Sequence, residues 1–137
     1  PDQDDNSGIF SSQTSSSNEF QILLLATGRV QTHVYDGSTQ GTVTTGTDDE
    51  YNDNQWHHVA LVRDSGTITL YFDSTAQTDT EADTATLKIK YLGVRGAPTT
   101  AAHYFRGMLD EFFLYDKALT AKEVLKNYKH GKSKHKN

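Results

Sequence analysis

The chain has no cysteine in its 137 residues, which excludes a disulfide framework and any thiolate metal site, and leaves the redox compartment unreadable from bridges. It also has no apolar run long enough to span a bilayer; the longest apolar cluster is Ile22 to Ala26. Its opening residues, PDQDDNSG, are polar and acidic where a secretory leader would be apolar, and the first residue is Pro1, not Met, so the reading is of a processed or excised piece of a soluble protein. Basic charge is scarce over the first part. Residues 1–54 hold Asp2, Asp4, Asp5, Glu19, Asp36, Asp48, Asp49, Glu50 and Asp53 against the single cation Arg29, within a net charge of −5. A basic folded face is what nucleic-acid binding requires, so that class is disfavoured. The cations gather instead from Lys117 onward, and the end HGKSKHKN reads as a basic, solvated, flexible tail over residues 130–137.

What is present is alternation. In Trp56 to Asp73, WHHVALVRDSGTITLYFD, apolar groups recur at every second position, Trp56, Ala60 and Val62 in one run and Ile68, Leu70 and Phe72 in the next. With Asp64, Ser65 and Gly66 between the runs, the pattern predicts an antiparallel hairpin with these two sets facing the core. Trp56 has the shape of a sugar-stacking platform, but the alternation assigns it to that core face.

Elsewhere the pattern predicts short strands at Ile9–Ser11, Phe20–Ala26, Val30–Tyr35, Gly41–Thr45, Ala85–Val94 and, longest of all, Tyr104–Tyr115. Ser- and Thr-rich stretches, Asp36-Gly37-Ser38, Gly46–Gln55 and Arg95–His103 read as turns and loops, and so does the polar stretch from Asp73 to Asp83. At Thr120 the period changes. Thr120 and Glu123 form a capping box, and Val124, Leu125 and Tyr128 follow at helical spacing. The expected fold is all-β, a two-sheet antiparallel jelly-roll sandwich over residues 1–129, closed by a short C-terminal helix.

Four blocks in order, Gln55-Trp56-His57-His58-Val59-Ala60, Leu70-Tyr71-Phe72-Asp73, Phe105 to Glu111 and Tyr115 to Thr120 with Glu123, resemble the laminin-G-like branch of the concanavalin A-like lectin/glucanase superfamily. The resemblance covers residues 8–129 and implies a concanavalin A-like sandwich. Two departures stand out. The resemblance leads one to expect Asp-Gly where this chain has Asp73-Ser74, which predicts a looser turn; and it implies two or three further strands ahead of Pro1, supplied by a preceding segment or another polypeptide, without which strand edges are open to pairing.

Candidate site residues are few. His57 and His58 are adjacent on a strand, point to opposite faces and cannot chelate one ion together, so one of them is expected to be a buried, hydrogen-bonded histidine. His33 and His103 have no partner at metal-ligand spacing. Asp110, between Leu109 and Phe112 in an otherwise apolar strand, needs compensation; the resemblance implies calcium at the sandwich rim, and a carboxylate accepting backbone N–H groups is the equal alternative. Arg95, His103 and Tyr104, bracketing the loop with Gly96 and Pro98, combine a cation, an imidazole and an aromatic ring suited to hydroxyls or to sulfated and carboxylated glycans. Catalysis is not expected. Glycoside hydrolysis needs two carboxylates converging on one face, whereas Asp110 and Glu111 face opposite ways, and no nucleophile triad, phosphate loop or zinc motif occurs. The sequence therefore points to a noncatalytic recognition module, carbohydrate-directed and calcium-assisted, of a secreted, cell-surface or virion-surface protein. The other class it allows is a structural or adhesive subunit that self-assembles through sheet edges.

Overall fold

The computed structural model describes residues 6–12, 19–35, 40–46, 51–80, 90–95 and 103–135. Alternation dictates the strands, because a pleated backbone sends successive side chains to opposite faces. The strands are β1 (Ser7–Ser11), β2 (Glu19–Leu24), β3 (Val30–Tyr35), β4 (Gln40–Thr44), β5 (Val59–Asp64), β6 (Thr67–Phe72), β7 (Thr75–Thr80) and β8 (Tyr91–Leu92), and one helix, α1 (Ala121–Lys134), follows. They form two antiparallel sheets: five strands in the order β4-β3-β2-β1-β8, and three in the order β5-β6-β7. The all-β, two-sheet architecture with a C-terminal helix is thus the one that the sequence pattern predicts.

The core lies between the sheets. Phe20, Ile22 and Leu24 of β2, Val30 and Val34 of β3 and Val43 of β4 face Ile68, Leu70 and Phe72 of β6, with Phe10 of β1 edge-on to Phe20 at 5.0 Å between ring centres. Each such side chain contributes about 1.5–3 kcal/mol when fully removed from water. Thr32, fully buried among them, donates its hydroxyl to the Gln21 carbonyl, which satisfies the one polar group on that face of β3.

The first hairpin corrects the sequence in a specific way. Asp64 belongs to β5, pairing with Thr67, so the loop is the two residues Ser65 and Gly66, both with positive φ (49° and 80°). Such a primed turn matches the twist of the flanking strands. Counting three loop residues shifts the register by one and reverses the face of the whole strand. Hence Val59 pairs with Phe72 and Leu61 with Leu70, and these two pack against the core, while Ala60 and Val62 lie on the outer side. Trp56 is consequently not a core residue: half-buried, it stacks on His135 at the end of α1, 4.3 Å between rings. The Asp73-Ser74 turn is tight rather than loose, a two-residue connection with φ of 44° and 72° that leads into β7, a strand the Thr-rich sequence did not signal.

The long strand expected over Tyr104–Tyr115 does not form. Tyr104 bridges Gly8 and Val94, and the Phe105 N–H donates to the Gly93 carbonyl, but beyond that the segment joins no sheet. A strand needs a neighbouring ladder as well as a favourable side-chain pattern, and here Met108, Phe112, Phe113 and Leu114 remain exposed, Leu114 by 76%. Of the run Ala85–Val94 only Tyr91–Leu92 is strand, and residues 81–89 lie outside the described residues. The turn at Asp36-Gly37-Ser38 also lies outside them.

The capping box is formed: the Glu123 N–H donates to Thr120 Oγ1, and the Thr120 N–H to Glu123 Oε2 at 2.8 Å. Lys117, which donates to Glu123, and the Thr120 groups hold the Glu123 carboxyl down to about 2. The helix continues to Lys134, into the stretch expected as a tail, where Lys134 reaches Glu111.

Candidate functional site

The outer face of the five-stranded sheet gathers the chemistry. In β3, Val30, Thr32 and Val34 point inward, so Gln31, His33 and Tyr35 point outward; cross-strand pairing sets Gln21 beside His33, Glu19 beside Tyr35 and Thr42 on the other flank of His33. The His33 and Tyr35 rings sit 6.4 Å apart, edge to face. Burial, the dominant influence, pushes the His33 pKa below 6.5, the Glu19 carboxylate draws it up, and the Arg95 guanidinium pushes it further down. His33 is therefore a neutral imidazole at pH 7, with one donor and one acceptor nitrogen.

Arg95 and His103 are brought together by the backbone. The His103 carbonyl accepts from the Arg95 N–H at 3.1 Å and from the Gly8 N–H at 3.2 Å, and Val94 bridges Tyr104 alongside. The crossing is so close that a Cβ on Gly8 would lie 2.3 Å from the Arg95 nitrogen, so only glycine allows it. Ser11 locks the same strand by donating its hydroxyl to the Val94 carbonyl. Arg95 and His103 are half-buried and Tyr104 is exposed; the intervening residues 96–102 lie outside the described residues. His103 Nδ1 is buried without a partner among the described residues. The part of this cluster that local sequence did not reveal is Glu19, His33 and Tyr35. Alternation in β2 and β3 signals that they face outward, but only the sheet order sets them side by side.

Asp110 lies elsewhere. It is exposed, accepts the Glu111 N–H at 2.7 Å, and sits 3.4 Å from His135 Nε2. Among the described residues no three His, Asp or Glu side chains converge as metal ligands.

His57 occupies a second cluster. Its Nδ1 lies 2.7 Å from Asp73 Oδ2 and its Nε2 3.0 Å from Asp53 Oδ1, while the His58 N–H donates to Asp73 Oδ1. Tyr51 stacks on Phe72, 3.4 Å between rings, against the same imidazole. The hydrogen bond to Asp73 raises the His57 pKa, burial opposes it, and Asp53 raises it again. For Asp73 and Asp53, burial works upward but is outweighed by His57 and by backbone N–H groups, so both carboxyls fall below 3.8. His58 turns to the other side, toward Tyr128, and burial lowers its pKa against the pull of Asp73. These groups form a clasp in which each carboxylate is engaged by the imidazole.

Residues 1–125 match the laminin-G family of the concanavalin A-like lectin/glucanases superfamily, and the chain belongs to that family. No curated protein matches it. Among solved structures it is similar to an S-layer domain-containing protein (residues 221–444) from Clostridium thermocellum, at 22% identity and a TM-score of 0.43; the match covers 93% of this chain and 65% of that one. No helix among the described residues is long and apolar enough to cross a membrane.

Proposed function

We propose that the chain is a noncatalytic, carbohydrate-binding module of a surface or extracellular protein, and that the ligand lies on the outer face of the five-stranded sheet. The observation that carries this reading is the row of Glu19, His33 and Tyr35 on that face. It offers an acceptor, a neutral imidazole able to give and take a hydrogen bond and an aromatic edge, with the Arg95 cation near enough to act on His33 electrostatically. Vicinal hydroxyls need paired donors and acceptors of this kind, and a guanidinium fork adds preference for a carboxylated or sulfated sugar. Membership of a lectin-containing superfamily supports the class. Support for a noncatalytic role comes from the acidic groups: Asp110 and Glu111 are already engaged, by His135 and Lys134 at the end of α1.

A glycan array probed with the purified chain, with and without chelator, tests the reading. Retention of acidic glycans is expected, falling tenfold or more in His33→Ala and Arg95→Ala, and loss of binding with chelator would add calcium to the site. An array with no retained glycan, or binding untouched by both substitutions, overturns it.

A further inference from the structure

Among the described residues the three-stranded sheet ends on β5. β5 pairs with β6 along its whole length, and no described strand pairs with its other side. Sheet edges are ordinarily blunted by charge, proline or bulges. The opposite edge, β7, is Thr75-Ala76-Gln77-Thr78-Asp79-Thr80, polar and poor in side chains that another strand could pack on, whereas β5 opens with Val59-Ala60-Leu61-Val62. Alongside β5 lies a cavity of about 1690 Å³, bordered by every residue from Val59 to Arg63. It is lined by core residues, including Phe10, Ile22 and Leu24, by the segment from Met108 to Leu114, and by α1 from Lys126 to Ser133. Small-molecule pockets hold about 300–1,000 Å³, so an apolar opening of this size beside an unpaired strand suits polypeptide.

We propose that this edge joins two copies of the chain, β5 against β5 in antiparallel register across a two-fold axis at Leu61. Opposed residues must share a face, which for a strand paired with its own copy restricts the register to steps of two. Centring on Leu61 sets Ala60 against Val62, Val59 against Arg63, and His58 against Asp64. His58 Nδ1 is buried with no partner among the described residues, and the exposed Asp64 carboxylate of the second copy supplies one. The neighbouring registers are poorer. One step places Arg63 against His57, a group already engaged by Asp53 and Asp73; the other places Asp64 against Ala60. In the favoured register no like charges meet. Val59 and Leu61 of each copy then extend the core face over the other's cavity. A strand of this length spans about 20 Å and alone falls short of the about 800 Å² per partner of a stable interface; the exposed Met108, Phe112, Phe113 and Leu114 flank the seam and supply further apolar surface.

Because the chain has no cysteine, a single introduced one reports on the seam. Light scattering and sedimentation from about 1 to 200 µM are expected to show a monomer–dimer equilibrium, following the measured concentration dependence that mass action requires. Asp64→Lys, at an exposed position, weakens the dimer tenfold or more while circular dichroism stays unchanged. Leu61→Cys forms a disulfide dimer under mild oxidation, and Ser65→Cys, off the axis, does not. A monomer at every concentration overturns the proposal and leaves the edge to a different polypeptide. A dimer indifferent to Asp64→Lys, with Leu61→Cys failing to cross-link, overturns it by placing the contact on another surface.

Discussion

The two sheets are built from similar residues and buried very differently. In the five-stranded sheet even polar side chains disappear: Ser11, Thr32 and Gln21 are 0%, 0% and 3% exposed, and their strands β1, β3 and β2 each have a neighbour on both sides. In the three-stranded sheet β5 carries Val59, Ala60, Leu61 and Val62, a more apolar sequence, and all four remain partly exposed. Burial follows the number of strand neighbours more than the hydrophobicity of the residue. The contrast teaches where stability resides: β6, flanked by β5 and β7 and facing the larger sheet, holds Ile68 and Leu70 at 0% exposure, and the edge beside it holds much less.

The sharpest test of that contrast is a pair of truncations. Leu70→Ala, fully buried, is expected to cost about 2–5 kcal/mol, and Leu61→Ala, its cross-strand partner on the open edge, clearly less, as read from urea unfolding. Equal losses would break the comparison.

The next effect concerns the clasp that ties the Tyr51–His57 strap to the end of β6. His57 has a raised folded pKa, so its contribution is fully present below about 6.5 and is lost as the pH rises through the folded value. Asp53 and Asp73 have depressed values, so theirs is present above about 3.8 and is lost as the pH falls through the folded ones. Stability should therefore plateau between these limits and decline on both sides. His57→Gln should cost about 2 kcal/mol on the plateau, the scale of a hydrogen bond to a charged group, and should flatten the alkaline decline in thermal unfolding across pH. A decline of unchanged size in the variant would assign the pH dependence to other groups.

The smallest effect is a gain. Ser74 holds φ of 72°, a left-handed conformation that costs a non-glycine residue about 1 kcal/mol, so Ser74→Gly should stabilise the β6–β7 hairpin by about that much in the same unfolding assay. A loss instead of a gain would mean that the Ser74 side chain contributes more than the turn strains.

Much of the fold was legible because its strands alternate. Val30–Tyr35 was delimited by its own pattern, and β2 and β6 nearly so, since one face of each must be apolar. The face of β5 was not, because it depends on whether Asp64 belongs to the strand or to the turn, a difference of one residue that the composition of the loop does not decide. Tyr104–Tyr115 was misread for a deeper reason: its side chains favour a strand, but pairing depends on a neighbouring ladder that no local pattern encodes. Of the candidate site, Arg95 and His103 were found by their nearness in sequence. Glu19, His33 and Tyr35 were not, because only the pairing of β2 with β3 sets them side by side.

The way α1 is fastened has a mechanical consequence. Its far end is held by the stacking of Trp56 on His135 and by the pairing of Lys134 with Glu111, both at the helix terminus. A pull applied through residues following the helix would load these fasteners one after another, as in peeling tape, while the ladders of the two sheets would bear little tension until the helix had come away. Under such a load α1 would yield first and the sandwich would keep its shape.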